Sequence, residues 1–115
     1  MSLIDRLVKA STVKLTAPLL ESKVFGKKEM IATSVPMVNV ALSGQVDGGL
    51  LPGLLVLAGP SKHFKSAFAL LMAAAYQKKY DDAVILFYDS EFGTPQAYFE
   101  SFGIDIARVV HTPLT

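Results

Sequence analysis

Apolar positions fall into two patterns along this chain. At the start, Leu3, Ile4, Leu7 and Val8 lie at i, i+1, i+4 and i+5, which puts them on one helical face. Ser2 followed by Asp5 is a helix-capping signal, so a short amphipathic helix is predicted within Ser2–Lys14. From Leu54 the pattern changes to short unbroken apolar runs. Leu54–Ala58, Val84–Tyr88 and Arg108–Thr112 each read as a buried strand. Between the first two runs, Lys65–Tyr80 is rich in Ala, Leu, Met and Lys with no Gly or Pro, and is predicted as a helix. Between the last two, Thr94 as cap and Pro95 at the first helical position open a helix that runs to Phe102 and ends at Gly103. Strand, helix, strand, helix, strand implies a parallel α/β sheet. The intervening Pro36–Leu51, with Asn39, Ser43-Gly44 and Asp47-Gly48-Gly49, reads as a short helical turn and a glycine-rich turn. Thr16–Lys28 reads as an extended linker with one short strand.

Composition narrows this further. The chain has 115 residues, of which 51% are hydrophobic and 18% charged, and that excludes intrinsic disorder. The length allows one small domain. Eleven basic and ten acidic residues leave a net charge of +1, which provides no electrostatic footprint for nucleic acid. The basic residues Lys23, Lys27 and Lys28 read as a solvated face. Cysteine is absent, so disulfides and thiolate metal sites are excluded. The longest apolar stretch, Ala67–Tyr76, is about half of the ~20 residues that a bilayer helix needs. Asp5 and Arg6 interrupt what would be the apolar centre of a signal peptide.

Two segments carry candidate chemistry. Gly59-Pro60-Ser61-Lys62-His63-Phe64-Lys65-Ser66 follows an apolar run and opens a helix. It departs at one position, Phe64, from the phosphate-loop pattern G-x-x-x-x-G-K-[ST]. Successive backbone N–H groups and a helix N-terminus make a concave anion site. Lys65 would add charge for the β- and γ-phosphates of a nucleotide, and Ser66 a hydroxyl ligand for Mg²⁺. The plainer alternative is an ordinary strand–loop–helix connection with a surface lysine. The second segment is Tyr88-Asp89-Ser90-Glu91, at the carboxyl end of a strand, where open α/β sheets bind ligands. Asp89 and Glu91 point to one side if the extended geometry continues, and can orient water, accept its proton or help hold Mg²⁺. Solvated acids capping nearby helices are the equal alternative. His63 and His111 lack metal-ligand spacing and are read as non-metal residues.

The segment Val35–Gly44, the stretch Leu55–Lys62 with Phe64-Lys65-Ser66, the segment Phe87–Gly93 and Val110-His111-Thr112-Pro113 together resemble the RecA-like strand-exchange recombinases. Within them the chain is most similar to the UvsX-type branch of T-even phages, which Arg6-Leu7 and Lys9–Thr12 also fit. The resemblance implies an α/β fold, the RecA-like parallel sheet of P-loop NTPases. Here that sheet is incomplete, three strands plus helices, behind an N-terminal helical arm. Residues 1–30 then form the arm and linker that dock on a neighbouring subunit, with Val24-Phe25 as anchor, and residues 31–115 the N-terminal part of the ATP-binding core.

The same resemblance implies ATP and Mg²⁺ as cofactors, held by Gly59, Pro60, Ser61, Lys62, His63, Phe64, Lys65 and Ser66. It matches Glu91 to the family's catalytic glutamate, which orients the attacking water, and Lys65 to its phosphate-loop lysine. Tyr98 matches an aromatic that stacks on adenine, although Thr94-Pro95 departs by one residue from that branch's Asp-Pro spacing. The family's core continues through a second Mg²⁺-linked aspartate and two DNA-binding loops, so the chain reads as the N-terminal piece of a filament-forming recombinase. Its partners would be a neighbouring subunit or a second copy, a complementary C-terminal fragment, and single-stranded DNA in the complete protein, in the cytoplasm of an infected bacterium and away from membranes. Leu54–Ala58 would lack its neighbours in the sheet. A second reading is a non-catalytic assembly module that complements a partner chain. A third, another P-loop ATPase such as a helicase loader, shares only the loop and is opposed by the Phe87–Gly93 and Val110–Pro113 segments.

Overall fold

Residues 1–25 and 29–114 are described by a computed structural model. Lys27 and Lys28 of the basic cluster, and the side chain of the expected anchor Phe25, lie outside the described residues. Helix α1 spans Leu3–Ala10. Its start is the expected one: Ser2 Oγ accepts the Asp5 N–H, and the Asp5 carboxylate accepts the Ser2 N–H in return. The helix ends before Lys14 because Ser11 competes for the backbone. Its hydroxyl accepts the Val13 N–H at 3.1 Å and bonds Thr16 Oγ1 at 2.7 Å, closing a local turn. Leu3, Ile4 and Leu7 remain exposed. The linker carries two 3₁₀ turns, Leu19–Glu21 and Lys23–Phe25, where a short strand was expected.

Residues 31–50 close on themselves. Ile31 and Leu50 form an isolated antiparallel bridge, with N–H···O distances of 2.9 and 2.8 Å. Helix α2, Pro36–Ser43, lies between them and stops at Gly44 in the left-handed region, φ 74°. Asn39, fully enclosed, organises the capsule. Its Oδ1 accepts the Thr33 N–H at 2.8 Å, and its Nδ2 donates to the carbonyls of Thr33 and Val46 at 3.2 and 3.1 Å. The side-chain amide thus pairs with Thr33 as a neighbouring strand would. Gly49 is required where it stands: at φ 144°, an added Cβ would overlap the Ile31 carbonyl.

The second half is a strand–helix–strand unit with α3, Lys65–Lys79, packed against it. Strand β1, Ile85–Asp89, and β2, Val109–Pro113, pair in parallel with Ile85 opposite Val109 and Phe87 opposite His111. Helix α4, Gln96–Ser101, forms the crossover. The core gathers Leu70 of α3, Phe99 of α4 and Ile104, with Ala73, Ala74, Phe87, Phe102 and Val109 against them. Pro95 sits in the cap position of α4 with extended backbone and Thr94 makes no cap bond, so the helix begins one residue later than expected. Beyond Gly103 the chain is tied to α3 by Gln77. Its amide donates to the Asp105 and Arg108 carbonyls and accepts the Asp105 N–H. Arg108 Nη1 reaches the carbonyls of Tyr80, Asp81 and Ala83, fastening the end of α3 to the start of β1.

The expected strand over Leu54–Ala58 makes no ladder, so the sheet has two strands among the described residues where three were expected. The sequence pattern is that of a buried strand, yet Leu54 is 94% and Val56 74% exposed. A strand exists only through its neighbours' hydrogen bonds, and no described segment supplies them. The outer face of the small sheet is equally bare, with Val84, Leu86, Tyr88 and Val110 exposed. The chain exposes 9015 Å² in all, against about 6,100 Å² for a compact monomer of its mass. Its radius of gyration is 19.6 Å, against about 13 Å for a compact domain of this length. Among the described residues no helix is long and apolar enough to cross a membrane.

Gln77→Leu keeps the volume at the α3 junction and strands two part-buried backbone groups, the Asp105 N–H and the Arg108 carbonyl, since the Asp105 carbonyl still accepts the Arg108 N–H. Each unpaired buried group costs about 1–3 kcal/mol, so chemical denaturation should show a loss of at least that size. A loss below about 0.5 kcal/mol would show that water satisfies Asp105 and Arg108 as well as Gln77 does.

Candidate functional site: the loop before α3 and the carboxyl end of β1

The Gly59–Ser66 loop opens α3 as expected, but the strand expected before it is not formed, since residues 54–58 pair with no described segment. Lys62 and Phe64 both adopt left-handed backbone, with φ of 63° and 62°. Phe64 stands where the phosphate-loop pattern has glycine, and it takes the conformation for which glycine is the ordinary choice. A side chain in that region costs about 1–2 kcal/mol. The Phe64 ring is accommodated by pointing into solvent, 73% exposed.

Phe64 also caps α3, with no side-chain hydrogen bond to the helix, so the first-turn N–H groups have no side-chain acceptor. Lys65 opens the helix. A cation in the first turn opposes the helix dipole, and here it is offset by two short bonds: Lys65 Nζ donates to the carbonyls of Gly59 at 2.7 Å and Pro60 at 2.9 Å. The lysine thereby closes the loop on itself. Uncapped amides, a helix N-terminus and a cation at one place fit a phosphate-bearing ligand. Pro60, Ser61, Lys62, His63 and Ser66 are exposed around it.

At the carboxyl end of β1 the extended geometry stops at Asp89, so Asp89 and Glu91 do not continue along one strand face. The chain turns instead around the Asp89 carboxylate. Its Oδ1 accepts the N–H groups of Glu91 at 3.1 Å and Phe92 at 2.9 Å, and its Oδ2 lies 3.1 Å from His111 Nε2. Phe92 closes the turn at φ 57°. Hydrogen bonds from the Phe92 amide first, then from His111, hold the Asp89 carboxyl below its ordinary value against the opposing effect of burial. Asp89 is thus a buried acid that holds the turn after β1, not a solvated one that caps a helix. Glu91 is exposed on the turn it organises.

His111 is paired with Asp89 and stacked on Phe87, with centroids 5.7 Å apart and planes 23° apart. Sequence reasoning missed this pair, whose members are 22 positions apart. The available signal was the parallel register: with Phe87 opposite His111, Asp89 is the diagonal neighbour on the same face. Beside the pair lies an open cavity of about 320 Å³ lined by Thr94, Gln96, Phe99, Ile106, Val109 and His111. Tyr98 does not line it; its ring stands edge-on to Phe102 at 5.4 Å. Among the described residues, no hydrogen bond or ion pair joins Lys65 or Ser66 to Asp89 or Glu91, and no group of three or more His, Cys, Asp or Glu side chains is placed to hold a metal ion.

No protein-family model matches the chain. Over 110 residues it is 57% identical to the "Recombination and repair protein" of Enterobacteria phage T4, a stretch that takes in 96% of this chain and 28% of that protein. The chain thus spans little more than a quarter of the length of the curated relative that it matches.

Phe64→Gly separates backbone strain from side-chain contact. Relief of the left-handed strain is partly offset by the greater freedom of glycine in the unfolded chain, for a net stabilisation of about 0–1 kcal/mol. Urea denaturation checks it, and a clear destabilisation would mean that the ring is held by contacts that its exposure does not show.

Proposed function

We propose that this chain is the nucleotide-loop-bearing part of an ATP-dependent DNA recombinase of the RecA-like strand-exchange kind, in the UvsX-type phage branch, acting in homologous recombination and DNA repair. The observation that carries the reading is the 57% identity, across nearly the whole chain, to a phage protein named for recombination and repair. The loop supports it: uncapped α3 amides and Lys65 form a place for the β- and γ-phosphates of ATP. Lys65 exchanges its two carbonyl acceptors for phosphate oxygens, and the Ser66 hydroxyl serves as a ligand to Mg²⁺. Magnesium, when bound, neutralises charge on the phosphates. Glu91, on the turn fixed by Asp89, orients and deprotonates water, and Tyr98 contributes a face for the adenine ring. Filament contacts and single-stranded DNA binding belong to the complete protein.

The isolated chain is expected to bind MgATP weakly, no tighter than high micromolar by titration calorimetry, with Lys65→Ala abolishing the heat. Phosphate release should not rise above background, because an exposed Glu91 without contact to the loop assembles no complete site. Nanomolar binding, or robust DNA-stimulated hydrolysis, would overturn this account of what the chain carries.

A second reading, an assembly module without catalysis, is favoured by the exposure of Leu54 and Val56 on a segment that pairs with no described residue. Exposed apolar strand edges recruit other chains. Light scattering across a concentration series should show self-association. A strictly monomeric mass at hundreds of micromolar with one cooperative melting transition would count against it.

A further inference from the structure

We propose that Asp89 and His111 act together as positioning residues for Glu91, transmitting the rigidity of the core to an acid whose side chain has no partner among the described residues. The inference rests on the reading of Glu91 as the water-orienting group. Glu91 is exposed and lies two residues beyond the last position of β1. A side chain so placed is useful for chemistry only if its backbone is held. The holding groups form a continuous series. Phe99, buried in the core, stands edge-on to Phe87 at 5.1 Å. Phe87 stacks on the His111 ring. His111 Nε2–H donates to Asp89 Oδ2, and Asp89 Oδ1 receives the amides of Glu91 and Phe92. The Leu114 N–H donates to the Asp89 carbonyl at 2.7 Å, so the end of β2 is clamped to the same residue.

Both oxygens of Asp89 are thereby committed, and the residue is 7% exposed. It is not free to act as the base. The two acids divide the work, with Asp89 shaping the turn and Glu91 facing solvent. His111 has a double constraint, ring stacking on one side and a charge-assisted hydrogen bond at Nε2, which fixes its orientation and its tautomer. Its place in the arrangement follows from the register of β2 against β1.

The test uses the whole 115-residue chain, labelled for nuclear magnetic resonance. In the wild type the His111 ring nitrogens should show the proton on Nε2, and the Glu91 and Phe92 amides should exchange slowly with solvent. His111→Phe keeps the stack on Phe87 and removes the donor. Exchange at Glu91 and Phe92 should then quicken by about tenfold, the factor for one charge-assisted hydrogen bond. His111→Gln keeps a donor amide and should restore exchange to within about twofold of the wild type. Equal exchange in wild type and His111→Phe, or a bare Nε2 with the proton on Nδ1, would overturn the proposal. If His111→Phe fails to fold, the wild-type ring pattern and the Gln variant still decide. Failure of the nucleotide reading has a separate signature, calorimetric heats for MgATP that Lys65→Ala leaves unchanged, and it does not move the Glu91 amide.

Discussion

The Phe99 ring meets Phe87 edge-on, and this contact joins the crossover helix to the sheet. Aromatic pairs of this geometry contribute beyond their buried area. Leu70 brings α3 to the same point, and Ile104 closes it from the segment after Gly103. Remove that cluster and β1 and β2 keep only each other and the polar ties of Gln77 and Arg108, and a strand pair without an apolar face to pack on is marginal in water. Both candidate sites hang from it. One is the start of α3, which carries the loop. The other is the end of β1, which carries Asp89 and the Glu91 turn.

Around this point the molecule is ordered by polar side chains that substitute for backbone partners. Asn39 pairs with Thr33, Gln77 with Asp105 and Arg108, and Arg108 with the three carbonyls between α3 and β1. Each replaces a hydrogen bond that a larger sheet or a longer helix would have supplied. Among the described residues, no buried side-chain nitrogen or oxygen lacks a partner. The apolar accounting is less complete, since many large hydrophobic side chains are exposed, among them Leu54, Val56, Leu86 and Tyr88.

What could be read from the sequence was what local chemistry decides. Helix α3 has an unbroken run of good helix formers and ends within a residue of expectation. The runs that became β1 and β2 were placed within a residue, and Ser2 with Asp5 formed the expected cap. What escaped depends on residues distant in the chain. The role of Asn39 needs the return of Thr33, and the Asp89–His111 pair needs the parallel register. Leu54–Ala58 has the pattern of a buried strand, and the expected lack of sheet neighbours leaves it unpaired among the described residues. At Ser11 a local side-chain bond ended a helix whose apolar spacing said nothing about its length.

The unpaired segment runs directly into the loop: Ala58 is bonded to Gly59, whose carbonyl receives Lys65. Two ordering processes therefore share a boundary. A chain that laid its backbone beside residues 54–58 would fix the entrance to the loop and remove part of the entropy that a phosphate ligand must otherwise overcome. A ligand that fixed the loop would, in turn, restrict the segment and lower the entropy that an incoming strand must overcome. Thermodynamic linkage makes the two effects equal in free energy. If a nucleotide fills this loop and a strand partner pairs with this segment, as proposed above, each would favour the binding of the other across the single peptide bond between Ala58 and Gly59.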